Sequence, residues 1–290
     1  MDIQGFLTPA QLEQFQQDGY LVIPDFFTLD EAKALRERAL QLLQDMDLAS
    51  HPKTRFSTGM NGSEHVGDDY FLTSGDKVRF FFEEGAFDSD GNLAVDKTKS
   101  INKIGHGLHE LDPLFRAFTV KPELKGIAKS CGYTDPRVLQ SMVICKVRSE
   151  DSVVGVPPHQ DSTFLYTEPP SAMGCWFALE DCTPENGCMW FAPGSHKKCG
   201  ITQRFVRNPN GSGTTFIPNP GHTTAIPGHG LSCKRSLVLI HGQVQLKSGH
   251  NTSDKSRFIY TFHMIEGTRL YDERNWLQPG PAGFTRLYTA

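Results

Sequence analysis

His159 and Asp161 stand two residues apart in the stretch VPPHQDSTFLYTEP, residues 156–169. On an extended segment, side chains at that spacing point to one side of the backbone, so an imidazole nitrogen and a carboxylate could hold a cation together. This donor pair suits Fe(II), and a further histidine would complete a facial triad with positions left open for other ligands. His-x-Asp also arises by chance in a chain with 11 histidines, where a hydrogen-bonded loop pair is the plain alternative. Other reactive side chains offer less. Cys145 has no histidine or lysine paired with it by sequence, since Lys146 would face the other way on a strand, and buried thiols are inert. His106 and His109 lack the Glu-x-x-His context of a helical metal site, His196 sits in a PGSH turn, and His263 in YTFHM reads as a satisfied barrel residue.

The chain that must position these groups has 290 residues and a net charge of −4, without long runs of one sign. That balance excludes nucleic acid and an anionic membrane surface as expected partners. No apolar run reaches the roughly 18 residues of a membrane span. The seven cysteines form no CxxC pair, no leader-like segment opens the chain, and LYTA at its end is not a peroxisomal address. Reduced thiols and an intracellular, cytoplasmic protein are the expectation. The sequons at Asn61, Asn210 and Asn251 then read as chance.

Thr8 with Gln11 and Thr28 with Glu31 spell capping boxes, the first closed by Gly19 and the second opening a long amphipathic helix through Leu35, Ala39 and Leu43 to Met46. Residues 50–69 read as a mobile loop, KVRFFFEEGAF with DSDGN as a hairpin, and SINKIGHGLHELDPLF as a helix stopped near Pro113. From about residue 137, short apolar runs alternate with Gly, Pro and Asn: VLQSMVICKV, MGCWFALED, GCMWFAPGSH, RSLVLIHGQV and SRFIYTFHMIEG. The spacing predicts a mainly β fold with flanking helices, a sandwich or jelly roll, and one domain over 1–290. Within it, 1–135 reads as largely helical decoration and 136–290 as mostly jelly-roll core, with a Gly/Pro/Asn-rich loop at 208–221.

HQDSTFLYTEP, WFALEDCTPENGCMWFAPGSH, KSINKIGHGLHELDP, DYFLTSGDKVRFFFEE and NWLQP together resemble the phytanoyl-CoA dioxygenase family of Fe(II)/2-oxoglutarate oxygenases, from LTPAQLEQFQQDGYLVI to the final LYT. The resemblance implies a double-stranded β-helix, a cupin-like jelly roll with the metal at its mouth. It also implies Fe(II) as cofactor, 2-oxoglutarate and O2 as co-substrates, and a small organic substrate to be hydroxylated or desaturated. Carried over position by position, His159 and Asp161 match the iron ligands, while Lys103, Met142, Gln160, Trp176, Ser248 and Arg257 match residues lining the 2-oxoglutarate pocket. Arg257 makes physical sense there, because a planar guanidinium clamps a carboxylate through parallel hydrogen bonds.

The pattern breaks at the second histidine. Relatives resemble HGxxxHKS where this chain reads HGQVQLKS, so the ligand position falls on Leu246. Leu246 precedes Arg257 by eleven residues, the separation customary in the family, whereas His241 precedes it by sixteen and His250 by seven. Leucine has no lone pair to give. His250 is the alternative third ligand if its loop folds back, with Gln245 and Gln243 poorer candidates. Val143 and Cys145 stand where relatives carry aromatic residues, a change expected to widen or reshape the substrate pocket, and RSEDSVVG departs from a Gly-Gly-containing loop. Two readings follow: an oxygenase with an atypical metal site, or a pseudo-oxygenase keeping the barrel as a ligand-binding or regulatory module or for non-oxidative catalysis.

Overall fold

Two threonines start the helices that brace the sheet. Thr8 Oγ1 accepts the Gln11 amide hydrogen at 3.2 Å, Gln11 Oε1 accepts from the Thr8 amide at 3.0 Å, and α1 runs Pro9–Asp18 to a left-handed Gly19. Thr28 and Glu31 repeat the arrangement for α2, Leu29–Asp45, which buries Ala32, Leu35, Ala39 and Leu43. The structure is a computed structural model that describes residues 3–54, 68–83, 85–146, 155–222 and 227–290. Most of the 50–69 loop and of the RSEDSVVG segment lies outside the described residues.

Strands β1 (Tyr20–Ile23), β2 (Val78–Phe82), β3 (Ile101–His106) and β4 (Pro136–Lys146) precede β5 (Val156–His159), β6 (Thr167–Glu168), β7 (Met173–Ala178) and β8 (Met189–Ala192). Then follow β9 (Gln203–Arg207), β10 (Thr214–Pro218), β11 (His229–Leu231), β12 (Leu237–His241), β13 (Gln245–Ser248), β14 (Arg257–Glu266), β15 (Leu270–Tyr271) and β16 (Thr285–Arg286). Twelve of them form a large antiparallel sheet, β1-β12-β7-β14-β4-β3-β2 with β16 on β4, and a smaller one, β11-β8-β13-β5, while β9 pairs with β10 and β6 with β15. This is the expected mainly β jelly roll.

Strand alternation divides the large sheet into two faces. Phe258, Tyr260 and Phe262 of β14, Val143 and Cys145 of β4, and Cys175 and Phe177 of β7 pack with Leu35, Leu43 and Phe118 on the helical side. The intervening residues Arg257, Thr261 and His263, with Gln140, Met142, Ile144, Lys146 and Trp176, line a cavity shared with the small sheet. Apolar side chains of both sheets, among them Ile259, Val238, Met189, Phe191 and Leu246, seal the space behind it.

Four expectations need correction. Residues 101–106 form β3 rather than helix, because they pair on both sides, with β2 and β4. The helix that remains, α4 (Leu108–Leu111), does stop just before Pro113 as expected, and Pro113 then opens α5 (Pro113–Thr119) with Asp112 as its cap. KVRFFFEEGAF does not fold back on itself. β2 pairs with β3, while DSDGN turns a bridge between Phe87 and Leu93. The 208–221 loop contains β10, paired with β9, and the first 135 residues supply three strands to the large sheet, more than decoration.

Asp112 carries much of that junction. Its Oδ1 accepts from the amides of Leu114 at 3.1 Å and Phe115 at 3.2 Å, and its Oδ2 from Arg38 Nε at 2.7 Å. Asp112→Ala is expected to lower unfolding free energy by about 1–2 kcal/mol in urea melts; a change within about 0.3 kcal/mol would show that the cap is dispensable. Among the described residues, no helix is long and apolar enough to cross a membrane.

Candidate metal and keto-acid site

His159 ends β5 and Asp161 opens the short turn after it, so both side chains enter the cavity, about 250 Å³ in volume. His159 Nδ1 donates to the Pro157 carbonyl oxygen at 2.9 Å, which leaves the lone pair on Nε2. That nitrogen faces Asp161 Oδ1 at 3.5 Å. Two acceptors so placed call for a cation or a proton between them.

Asp161 Oδ2 lies 3.3 Å from Nε2 of His263, whose Nδ1 is 3.5 Å from Gln140 Nε2. The amide can donate to Nδ1, so Nε2–H of His263 points at the carboxylate and fixes its rotation. Burial alone would raise the Asp161 carboxyl, yet a proton taken up between it and His159, with the hydrogen bond and charge of His263, outweighs burial and holds the group well below the usual carboxylate range. Asp161 is thus an anion ready to bind a cation. Gly174 makes room for the contact, since a Cβ there would meet Asp161 Oδ2 and His263 Nε2, each at 3.3 Å.

The far end of the cavity is cationic. Arg257 is buried, its Nη1 donating to the Gly187 carbonyl at 2.5 Å and its guanidinium carbon 5.8 Å from the Trp176 ring centre. Its Nε has no hydrogen-bond partner among the described residues, so the fork retains a donor for an anion. Burial pushes the arginine pKa down, which binding an anion would relieve. Lys146, in register with Arg257 on the adjacent strand, donates from Nζ to Ser248 Oγ at 3.0 Å and to the Gly249 carbonyl. Lys103 Nζ reaches Met142 Sδ at 4.0 Å. Burial drives both lysines down to about 7, opposed for each by Glu83 and, for Lys146, reinforced by Arg257.

Of the residues singled out by sequence, the fold brings His159, Asp161, Lys103, Met142, Trp176, Ser248 and Arg257 to this one cavity. Gln160 is the exception. Sitting between two cavity-facing neighbours, it turns the other way and its Nε2 donates to the Gln243 carbonyl at 2.7 Å, so it does not line the cavity. Leu246 is the direct cross-strand partner of His159 and presents its side chain to the cavity. His250 lines the cavity too, but its Nε2 accepts the Gly155 amide hydrogen at 2.9 Å, and neither Gln243 nor Gln245 reaches the cavity. Among the described residues, no three His, Cys, Asp or Glu side chains converge as a metal-holding set.

Sequence reasoning passed over Lys146, Gln140 and the role of His263. The signal was present in the alternation: counting in twos from Arg257 reaches His263, and from Met142 reaches Gln140 and Lys146. Val143 and Cys145 do not reshape the cavity as expected: strand alternation puts both on the helical face, where burial pushes the Cys145 thiol up while Lys146 faces the other way.

The profile of the phytanoyl-CoA dioxygenase (PhyH) family matches residues 15–259. Phytanoyl-CoA dioxygenase domain-containing protein 1 of Bos taurus is 46% identical, covering 98% of this chain and 99% of its own. A phytanoyl-CoA dioxygenase of Arabidopsis thaliana is 44% identical over 96% of each chain. Among solved structures, the epimerase SnoN in complex with Fe3+, alpha ketoglutarate and nogalamycin RO superposes with a TM-score of 0.62 at 18% identity, covering 94% of this chain and 91% of that one. EctD from S. alaskensis with 2-oxoglutarate and 5-hydroxyectoine gives a TM-score of 0.62 at 17% identity, over 94% and 80%.

Proposed function

Since the chain belongs to the phytanoyl-CoA dioxygenase family, we propose that it is an Fe(II)- and 2-oxoglutarate-dependent oxygenase of a small organic metabolite, with Leu246 in place of the third metal ligand. The observation that carries this reading is the meeting, in one cavity, of a lone-pair-to-carboxylate gap at His159 and Asp161 with an incompletely satisfied guanidinium at Arg257. When bound, iron supplies activation of O2 coupled to oxidative decarboxylation of the keto acid to succinate. His159 and Asp161 hold the metal, and His263 orients Asp161 from behind. Arg257, Ser248 and Lys146 seat the far carboxylate of 2-oxoglutarate, with Trp176 and Met142 walling its carbon chain.

With one protein nitrogen short, His159 and Asp161 would hold a metal only weakly on their own, so metal and keto acid should bind cooperatively. Anaerobically reconstituted protein is expected to release succinate from 2-oxoglutarate in an iron-dependent manner when offered candidate substrates. No iron-dependent turnover, with 2-oxoglutarate still bound in the absence of metal, would favour the second reading that Leu246 supports: a binding or regulatory module, or a non-oxidative catalyst, on the same barrel.

The lysines give this site a pH signature. Lys103 and Lys146 lose their protons near pH 7 in the free protein, and a dianion holds those protons on. Affinity for 2-oxoglutarate is therefore fullest below about pH 7 and falls as pH rises beyond it, by up to about tenfold per pH unit for each lysine. Calorimetric titration between about pH 6 and pH 9 checks the sign. A flat profile would place both ammonium groups outside the anion's field.

A further inference from the structure

Cys182 and Cys233 face one another across an isolated antiparallel bridge. The Cys182 amide donates to the Cys233 carbonyl at 2.7 Å and the Cys233 amide donates back at 3.0 Å. Residues that exchange both bonds have Cα atoms about 5.5 Å apart, within the roughly 4.4–6.8 Å that a disulfide spans. Both thiols are free, and the Cys182 thiol donates to the Glu180 carbonyl at 3.5 Å. Cys182 is 1% exposed, while Cys233 is only partly buried and can meet a solute. The neighbouring Cys182 thiol, with the Arg257 cation nearby, lowers the Cys233 pKa and favours its thiolate against the cost of burial. Burial instead pushes the thiols of Cys131, Cys145 and Cys175 up.

We propose that Cys182 and Cys233 are a modification site, a dithiol that a hydroperoxide converts reversibly to a disulfide with only a local closing of the two segments, since their Cβ atoms must approach by about an ångström. The Cys233 thiolate attacks the terminal peroxide oxygen, an S–O bond forms, the O–O bond breaks, and the leaving alkoxide or hydroxide takes a proton from solvent. Cys182 sulfur then attacks the sulfenic sulfur of Cys233, forming S–S and expelling hydroxide, which leaves as water with the Cys182 proton. Two thiols and one hydroperoxide thus give one disulfide, one alcohol or water from the peroxide, and one further water. The bridge fastens the loop that runs from Cys182 to Gly187, whose carbonyl holds Arg257. Oxidation at this site therefore stiffens the support of the buried guanidinium.

Brief treatment of the full chain with hydrogen peroxide, then unfolding, alkylation and peptide mapping, tests the site. The alkylatable thiols should fall from seven to five, with a Cys182–Cys233 cross-linked peptide that dithiothreitol removes. Closing a loop of about 50 residues should also raise the thermal midpoint by several degrees. Cys233→Ser should keep all six of its thiols under the same treatment. Seven thiols retained in the unaltered chain, a bridge to Cys188 instead, or Cys233 over-oxidised with Cys182 still free would each overturn the proposal; these readings need no variant to fold.

Discussion

Leu246→His should tighten Mn(II) or Fe(II) binding by about 100-fold or more, roughly 2.7 kcal/mol, and raise iron-dependent succinate release with it. Leu246 pairs directly with His159 across β5 and β13 and already points into the cavity, so an imidazole there arrives from the strand opposite the existing donors. Disturbing groups that merely support a ligand commonly costs ten- to a hundredfold in affinity, so adding a missing donor should gain at least the upper end of that range. The leucine is 5% exposed and packs with Trp176 and Phe191, and a histidine of similar volume costs some of that packing. Metal titration by calorimetry on both chains reads the effect. Equal affinities would mean that position 246 is not a coordination corner.

The second large effect is expected at Arg257. Arg257→Met should weaken 2-oxoglutarate binding by about 100-fold or more, near 3 kcal/mol, because the keto acid's far carboxylate would lie in a buried cavity without its fork of donors. Arg257→Lys should recover only part of this, since an ammonium cannot make the parallel pair of hydrogen bonds. The same titration in the presence of Mn(II), with thermal melts to confirm folding, measures it. A loss smaller than about threefold would move the carboxylate seat elsewhere.

The helical frame was readable because its signals are local. Thr8, Gln11, Thr28 and Glu31 satisfy amide groups within a turn of themselves, and Glu31 keeps its cap through one oxygen while the other accepts from the distant Lys121. β3 was misread for the opposite reason. Ile101, Ile104, Leu108 and Leu111 recur at helical spacing, yet pairing of 101–106 with β2 and β4 overrides that local pattern. Site residues divided along a similar line. The His159–Asp161 pair is a two-residue signal on one extended segment, whereas Lys146 reaches the site through its register with Arg257, more than a hundred residues away. Gln160 was assigned by its match to a pocket position of the family, although the same alternation that unites His159 and Asp161 turns Gln160 toward Gln243. His263 was set aside as a satisfied barrel residue; it is hydrogen-bonded, but to Asp161 itself.

The most direct measurement is a pair of calorimetric titrations of 2-oxoglutarate into the unaltered chain, one with Mn(II) as a redox-silent stand-in for iron and one with the metal chelated. A keto acid that shares its metal with His159 and Asp161 should bind at least about tenfold tighter in the first titration than in the second. Equal affinity with and without metal would contradict an iron–keto-acid centre in this barrel.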